Sequence, residues 1–165
     1  PNYQKYQAKA RQTEAKIALA AVFTAETSFA AENNTFSSCV TAIGWAPTGA
    51  SIYYSVGYTN GIAGAASCGP TGGLSCNGIS YTPTVVTTCG AVGPTVSHTQ
   101  ANVYVRGSAA VTTNASITSL QAADSILNNT AFTVGAVGGI SSSAPGYDNW
   151  NMNQGKVLTN SRSGI

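Results

Sequence analysis

Side chains with the means to do chemistry are few in this sequence. His98 is the single histidine, it stands in a stretch of Pro, Gly, Ser and Thr, and the whole chain holds five carboxylates. One imidazole without a neighbouring carboxylate is poor material for general acid–base catalysis. Serine is abundant, but no G-x-S-x-G context presents one as a nucleophile. Asp148 is followed by Asn149, Asn151 and Asn153, a run whose oxygens could face a calcium ion. A single carboxylate supplies too little charge for that, and Asn runs of this kind serve turns. The expectation is therefore a chain with no catalytic residue, no metal and no cofactor, and not an enzyme.

The cysteines carry more information. Cys39, Cys68, Cys76 and Cys89 lie within one Gly-rich stretch, without a nearby histidine and without the C-x-x-C spacing of zinc or redox sites. Two disulfides are the economical reading, which places the folded chain in an oxidising compartment. Three pairings are possible. Cys68–Cys76 would close a small loop and leave Cys39–Cys89 to tie the end of the first element to a distant strand, and this pairing is preferred over the other two.

Whatever positions these groups must come from an unusual composition. Only 7% of the 165 residues are charged, against about 25% in ordinary soluble domains. Solubility rests on hydroxyls and amides, which suit strands and turns. The length fits a single domain, residues 1–165, with room for a real core. The net charge of +2 is small and its basic residues look dispersed, so no nucleic-acid partner is expected and nothing points to an anionic one. No apolar run approaches the length of a membrane span.

The first 32 residues are different. They contain no glycine, are rich in alanine, and hold four of the seven basic and three of the five acidic side chains. At about 100° per residue, Ala15, Ala18, Leu19, Val22, Ala25 and Phe29 share one face, spaced as a helix packing on a core requires. Tyr3, Tyr6, Ala10, Thr13, Ile17, Ala20 and Thr24 form a second line on roughly the opposite side. Pro1 suits a helix start, and the following Gln, Lys, Arg, Glu and Ala are strong helix formers. A helix over residues 1–32 would be roughly 48 Å long, enough for an end to project from the body. It should stop at Asn33-Asn34. The second line is either an interface for a partner outside the chain or a semi-exposed flank. Glu26 sits on the core side, where it must snorkel to an edge or pair with a basic side chain.

After the helix, β-type runs follow at 51–58, at 79–88 with an interruption at Pro83, at 101–106 and at 131–137. Residues 116–128 read as a short helix carrying Ile117, Leu120, Ile126 and Leu127. Residues 148–160 read as a hairpin with a tight turn at Gln154-Gly155, Trp150 and Met152 sharing its half-buried face. The expected fold is α+β: a long N-terminal helix on an antiparallel sheet, with a disulfide-stapled loop region near residues 60–95.

The opening PNYQKYQAKARQ followed by TEAK closely resembles the stretch of bacterial type IV pilins that follows their hydrophobic N-terminal segment. The tail DNWNMNQGKVLTN is similar to the final hairpin of some Gram-negative pilins, whereas residues 40 to 145 carry no such likeness. The resemblance implies a pilin fold and a preceding apolar segment of roughly 20 residues, the length that spans a bilayer, through which the subunit sits in the inner membrane before assembly. It implies that identical subunits, brought together by a pilus assembly machinery, are the partner of the second line. Tyr3, Tyr6, Ala10, Thr13, Ile17 and Ala20 would then face neighbours in a helical, non-closing extracellular filament for adhesion or motility. Burying a tyrosine and an isoleucine there is worth a few kcal/mol per subunit, less ordering costs. Two other readings stay open. One is a minor pilin or a pseudopilin of type II secretion. The other is an extracellular binding module that touches glycans or a cell surface through Tyr53, Tyr54, Tyr58, Tyr81 and Tyr104.

Overall fold

The computed structural model describes residues 2–37, 43, 45, 53–58, 79–81, 86–88, 102–104, 126–140 and 148–165, the short strands at 79–81, 86–88, 102–104 and 126–128 by their backbone alone. Helix α1 spans Asn2–Asn33, as its composition demands. Its end is built by two asparagines. Asn34 takes a left-handed conformation (φ 55°) and its amide donates to the Ala30 carbonyl at 2.8 Å, while the Asn33 side chain donates to the Phe29 carbonyl at 3.1 Å. Asparagine tolerates this geometry better than other residues with a Cβ, which is why the pair stops the helix.

Among the described residues eight strands follow: β1 (Tyr54–Tyr58), β2 (Ile79–Tyr81), β3 (Val86–Thr88), β4 (Asn102–Tyr104), β5 (Ile126–Asn128), β6 (Ala131–Gly138), β7 (Asp148–Asn153) and β8 (Leu158–Arg162). The main sheet runs β4-β1-β6-β7-β8, with β5 also paired to β6, and every pairing is antiparallel. Among the described residues β2 and β3 pair with each other alone. The run at 79–88 thus resolves into two strands on either side of Pro83, a residue that cannot donate to a ladder.

The helix lies across β1, β6 and β7. Ala15, Leu19 and Val22 are fully buried, against Tyr58, Phe132, Val134, Ala136 and Met152 from the sheet. Burying each of Leu19 and Val22 is worth about 1.5–3 kcal/mol. Phe132 is the centre of an aromatic cluster, with the Phe36 ring set edge-on at 4.7 Å and those of Phe23 and Tyr58 at 6.3 and 6.4 Å. The arrangement is α+β, one N-terminal helix packed on an antiparallel sheet.

Three expectations need correction. Residues 126–128 are not the end of a helix but strand β5, whose Ile126 pairs with Phe132 across the turn at 129–130. The Asn-Asn-Thr sequence there makes a turn, and cross-strand pairing with β6 outweighs the helical spacing of Ile126 and Leu127. The rest of that segment, with Ile117 and Leu120, lies outside the described residues. Glu26 neither snorkels nor meets a basic side chain; it is fully buried and bonded to neutral groups. The core seam also begins earlier than expected, because Ala8 is already 1% exposed. Cys39, Cys68, Cys76, Cys89, His98 and Arg106 lie outside the described residues.

Candidate functional site

The helix presents two faces of opposite character. Residues 2–7 are exposed on every side, so the first turns of α1 project beyond the point where Ala8 meets the body. Tyr3, Tyr6 and Ile17 are 73%, 70% and 65% exposed and dominate the exposed large apolar side chains among the described residues. Ala10 and Thr13 are exposed with them, whereas Ala20 is half-buried at the flank of the core. The line expected opposite the core therefore faces outward over its first five members and turns inward at the sixth.

This outer line is more apolar than its sequence suggests. The hydroxyls of Thr13 and Thr24 donate to the carbonyls of Lys9 and Ala20, at 3.5 and 3.1 Å. Such bonding within the helix leaves the threonine methyl groups outermost. Tyr3 is held by the Gln7 amide, which donates to its hydroxyl at 2.9 Å. The outer face thus offers two tyrosine rings, an isoleucine, small alanines and methyls.

What keeps that face outward is a set of polar anchors along the flank of the helix, between the outer line and the core. Arg11 donates to the Ile140 carbonyl at 2.7 Å and its guanidinium lies 4.9 Å from the centre of the Tyr53 ring. Glu14 accepts the backbone amides of Tyr53 and Tyr54 at 2.8 and 3.2 Å, capping the start of β1. Burial pushes the Glu14 carboxyl above its ordinary pKa, and the two amides partly oppose the shift. Gln7, Ala10, Arg11, Glu14 and Tyr53 line an open recess of about 370 Å³ beside the outer face.

Two buried acids complete the anchoring. Asp148 accepts five hydrogen bonds: from the Tyr54 hydroxyl at 2.5 Å, the Trp150 indole at 2.6 Å, Gln12 at 3.1 Å, Asn160 at 3.2 Å and the Gly164 amide at 2.9 Å. It ties helix, β1, β8 and the C-terminal residues into one node and drives the Tyr54 hydroxyl well above the usual phenol pKa, after burial itself. Asn153 is equally committed, its side-chain oxygen accepting the Gly155 and Val157 amides of the hairpin loop. Glu26 accepts the Tyr58 hydroxyl at 2.8 Å and the Ser37 amide at 3.1 Å. Burial raises its pKa from 4.5 to about 8, the two hydrogen bonds acting in the opposite direction. Near neutral pH the group is mostly protonated, so the helix is fastened to β1 through an uncharged carboxylic acid.

Four of the seven basic residues, the lysines, are gathered rather than dispersed. Lys5, Lys9 and Lys16 fall within about 40° of one another around the helix at about 100° per residue. Lys16 lies 4.8 Å over the Trp150 ring and Lys156, delivered by the β7–β8 loop, 5.7 Å over Phe23. Charge dispersion along a sequence does not predict its dispersion in space, and here a helix edge and a hairpin loop gather it. The tyrosines proposed for glycan contact are mostly unsuited to it: Tyr54 and Tyr58 are fully buried and Tyr53 is half-covered beneath Arg11, while the side chains of Tyr81 and Tyr104 lie outside the described residues. Sequence reasoning missed Glu14, Asp148 and Glu26 as anchors; their signal was the presence of acids in a chain with so few of them. The chain matches no protein-family model and no curated protein.

Proposed function

We propose that this chain is a structural subunit of an extracellular type IV pilus, polymerising with identical copies through its N-terminal helix. The supporting observation is the pair of unlike helix faces, with Ala15, Leu19 and Val22 fully buried and Tyr3, Tyr6 and Ile17 exposed on the opposite side. A helix that served only its own sheet would carry polar side chains there. The outer line repeats along the helix axis, so copies related by rotation and translation meet head to tail rather than as a closed pair. Ala10 and the projecting first turns let neighbouring helices approach.

In this reading the sheet and the loop region form the outer body of the fibre, as in the pilin fold, and Cys39, Cys68, Cys76 and Cys89 form two disulfides that resist force and proteolysis. The fibre serves adhesion or motility. A minor pilin or pseudopilin of the same architecture is the second reading, favoured by the same helix. The test is electron microscopy of cells producing the full-length subunit. Wild type should contribute the bulk of surface fibres, and Tyr6→Glu with Ile17→Glu should abolish them while the isolated chain melts as before. Fibres unchanged by both substitutions would refute the interface, and normal fibres in cells lacking the subunit would leave only the minor role.

A further inference from the structure

The formal charge of +2 hides how this protein distributes its charge between interior and surface. Of five carboxylates, Glu26 and Asp148 are fully buried, Glu14 is half-buried on the β1 amides and Asp124 lies outside the described residues. Glu32, near the far end of the helix, is the one exposed carboxylate among the described residues. The lysines are treated oppositely. Lys5, Lys9, Lys16 and Lys156 are all exposed.

These four ammonium groups form a ridge. Lys5, Lys9 and Lys16 share one edge of α1, and Phe23, over which Lys156 is placed, continues the same edge two turns further on. From residue 5 to residue 23 the ridge is roughly 27 Å long at 1.5 Å per residue. Lys156 reaches it through a built feature: the residue has φ 61° in the β7–β8 loop, fixed by its amide donating to the Asn153 carbonyl at 2.9 Å. On the solvent side of α1 stand Tyr6 and Ile17, about 60–120° around the helix from the lysine ridge, with Tyr3 further round.

We propose that this surface docks the helix on anionic lipid headgroups. Four lysines with no exposed acid beside them among the described residues call for a polyanion. The neighbouring tyrosines and isoleucine select a lipid interface over a nucleic acid: amphipathic rings sit at headgroup depth, and lysines flanking them lie along the phosphate plane. Among the described residues the surface is a helix edge, and Arg11, the one arginine of α1, is turned to Ile140 and Tyr53 and does not lie on it for bidentate phosphate contact. The inference does not rest on polymerisation, since a single chain carries the whole ridge.

The test is co-sedimentation of the chain with phosphatidylcholine vesicles prepared with and without phosphatidylglycerol, at low and raised salt. Binding is expected only to the anionic vesicles and should weaken as salt shortens the screening length. Each of Lys5→Gln, Lys9→Gln and Lys16→Gln should weaken it about five-fold, and the triple variant about a hundred-fold. Tyr3→Ser with Tyr6→Ser should also weaken it, which a purely electrostatic surface would not show. All of these side chains are exposed, so unchanged melting curves confirm that the variants fold. Equal binding to neutral vesicles, or a triple variant that binds as wild type does, would overturn the proposal. So would duplex DNA stripping the protein from vesicles at a lower phosphate concentration.

Discussion

Replacing Glu26 by glutamine isolates the contribution of one buried proton to the stability of this fold. The carboxyl has a pKa of 4.5 when free and about 8 in the folded protein. A folded-state pKa raised above the unfolded value means that the native state holds the proton more tightly. Its contribution is then fully present below pH 4.5, falls through the interval, and is gone above about pH 8. The difference between those values corresponds to about 5 kcal/mol at 1.36 kcal/mol per unit, a slope of about 1.4 kcal/mol per pH unit across the window. Fraying of the last helical turns, which would admit water to the carboxylate, lowers this ceiling. Glu26→Gln cannot ionise; its one oxygen can accept the Ser37 amide while its NH2 donates to the Tyr58 hydroxyl oxygen, in place of the two acceptor oxygens of the acid. Denaturant unfolding at a series of pH values should show the wild type losing stability relative to the variant from about pH 5 to pH 8. Other titrating groups, Glu14 among them, act on both proteins and cancel in the difference. Parallel curves for the two proteins, or a wild type that gains on the variant with rising pH, would refute the assignment of a buried, protonated acid.

Three further outcomes follow from the same structure. Asp148→Ala strands five donors at once and should cost about 3–5 kcal/mol, with a change in Trp150 fluorescence reporting loss of its indole hydrogen bond. In the isolated chain Leu19→Ala should lose about 2–5 kcal/mol, whereas Ile17→Ala, two residues away on the outer face, should stay within about 0.5 kcal/mol; equal losses in chemical denaturation would mean that both faces are buried. A Cβ at Gly164 would lie 2.8 Å from Asp148 Cβ and 2.9 Å from its backbone nitrogen, so Gly164→Ala should displace the C-terminal residues and cost about 1–3 kcal/mol, visible as a lower melting temperature and faster C-terminal proteolysis.

The parts of the fold that were legible in the sequence are those fixed by local rules. The helix over α1 follows from propensity and periodicity, its stop from Asn33-Asn34, and the β7–β8 hairpin from alternation around Gln154-Gly155. Each is decided within a few residues. Ile126 and Leu127 were misjudged because their spacing suits a helix equally well and the decision belongs to Phe132, which pairs with Ile126 across a turn. Glu26 and Asp148 were opaque for a related reason. Whether an acid is buried depends on partners such as Tyr58, 32 positions away, and Tyr54, 94 positions away. The outer line of the helix was readable by residue type, but Ala20 was assigned to it although the sheet covers its flank. The placing of Lys156 over Phe23, on the helix edge that carries Lys16, could not be read at all, because it depends on where a hairpin folds back against the helix.

The central claim is that the outer face of α1 is free in the single chain and covered in the assembled fibre. Single cysteines placed at Tyr6 and Ile17, labelled with a maleimide in the isolated chain and in purified fibres of the full-length subunit, measure that directly. The account predicts rapid labelling of the isolated chain and strong protection in fibres, with Val157→Cys on the exposed hairpin loop as the reference. Equal labelling of Tyr6→Cys and Ile17→Cys in both states would contradict it.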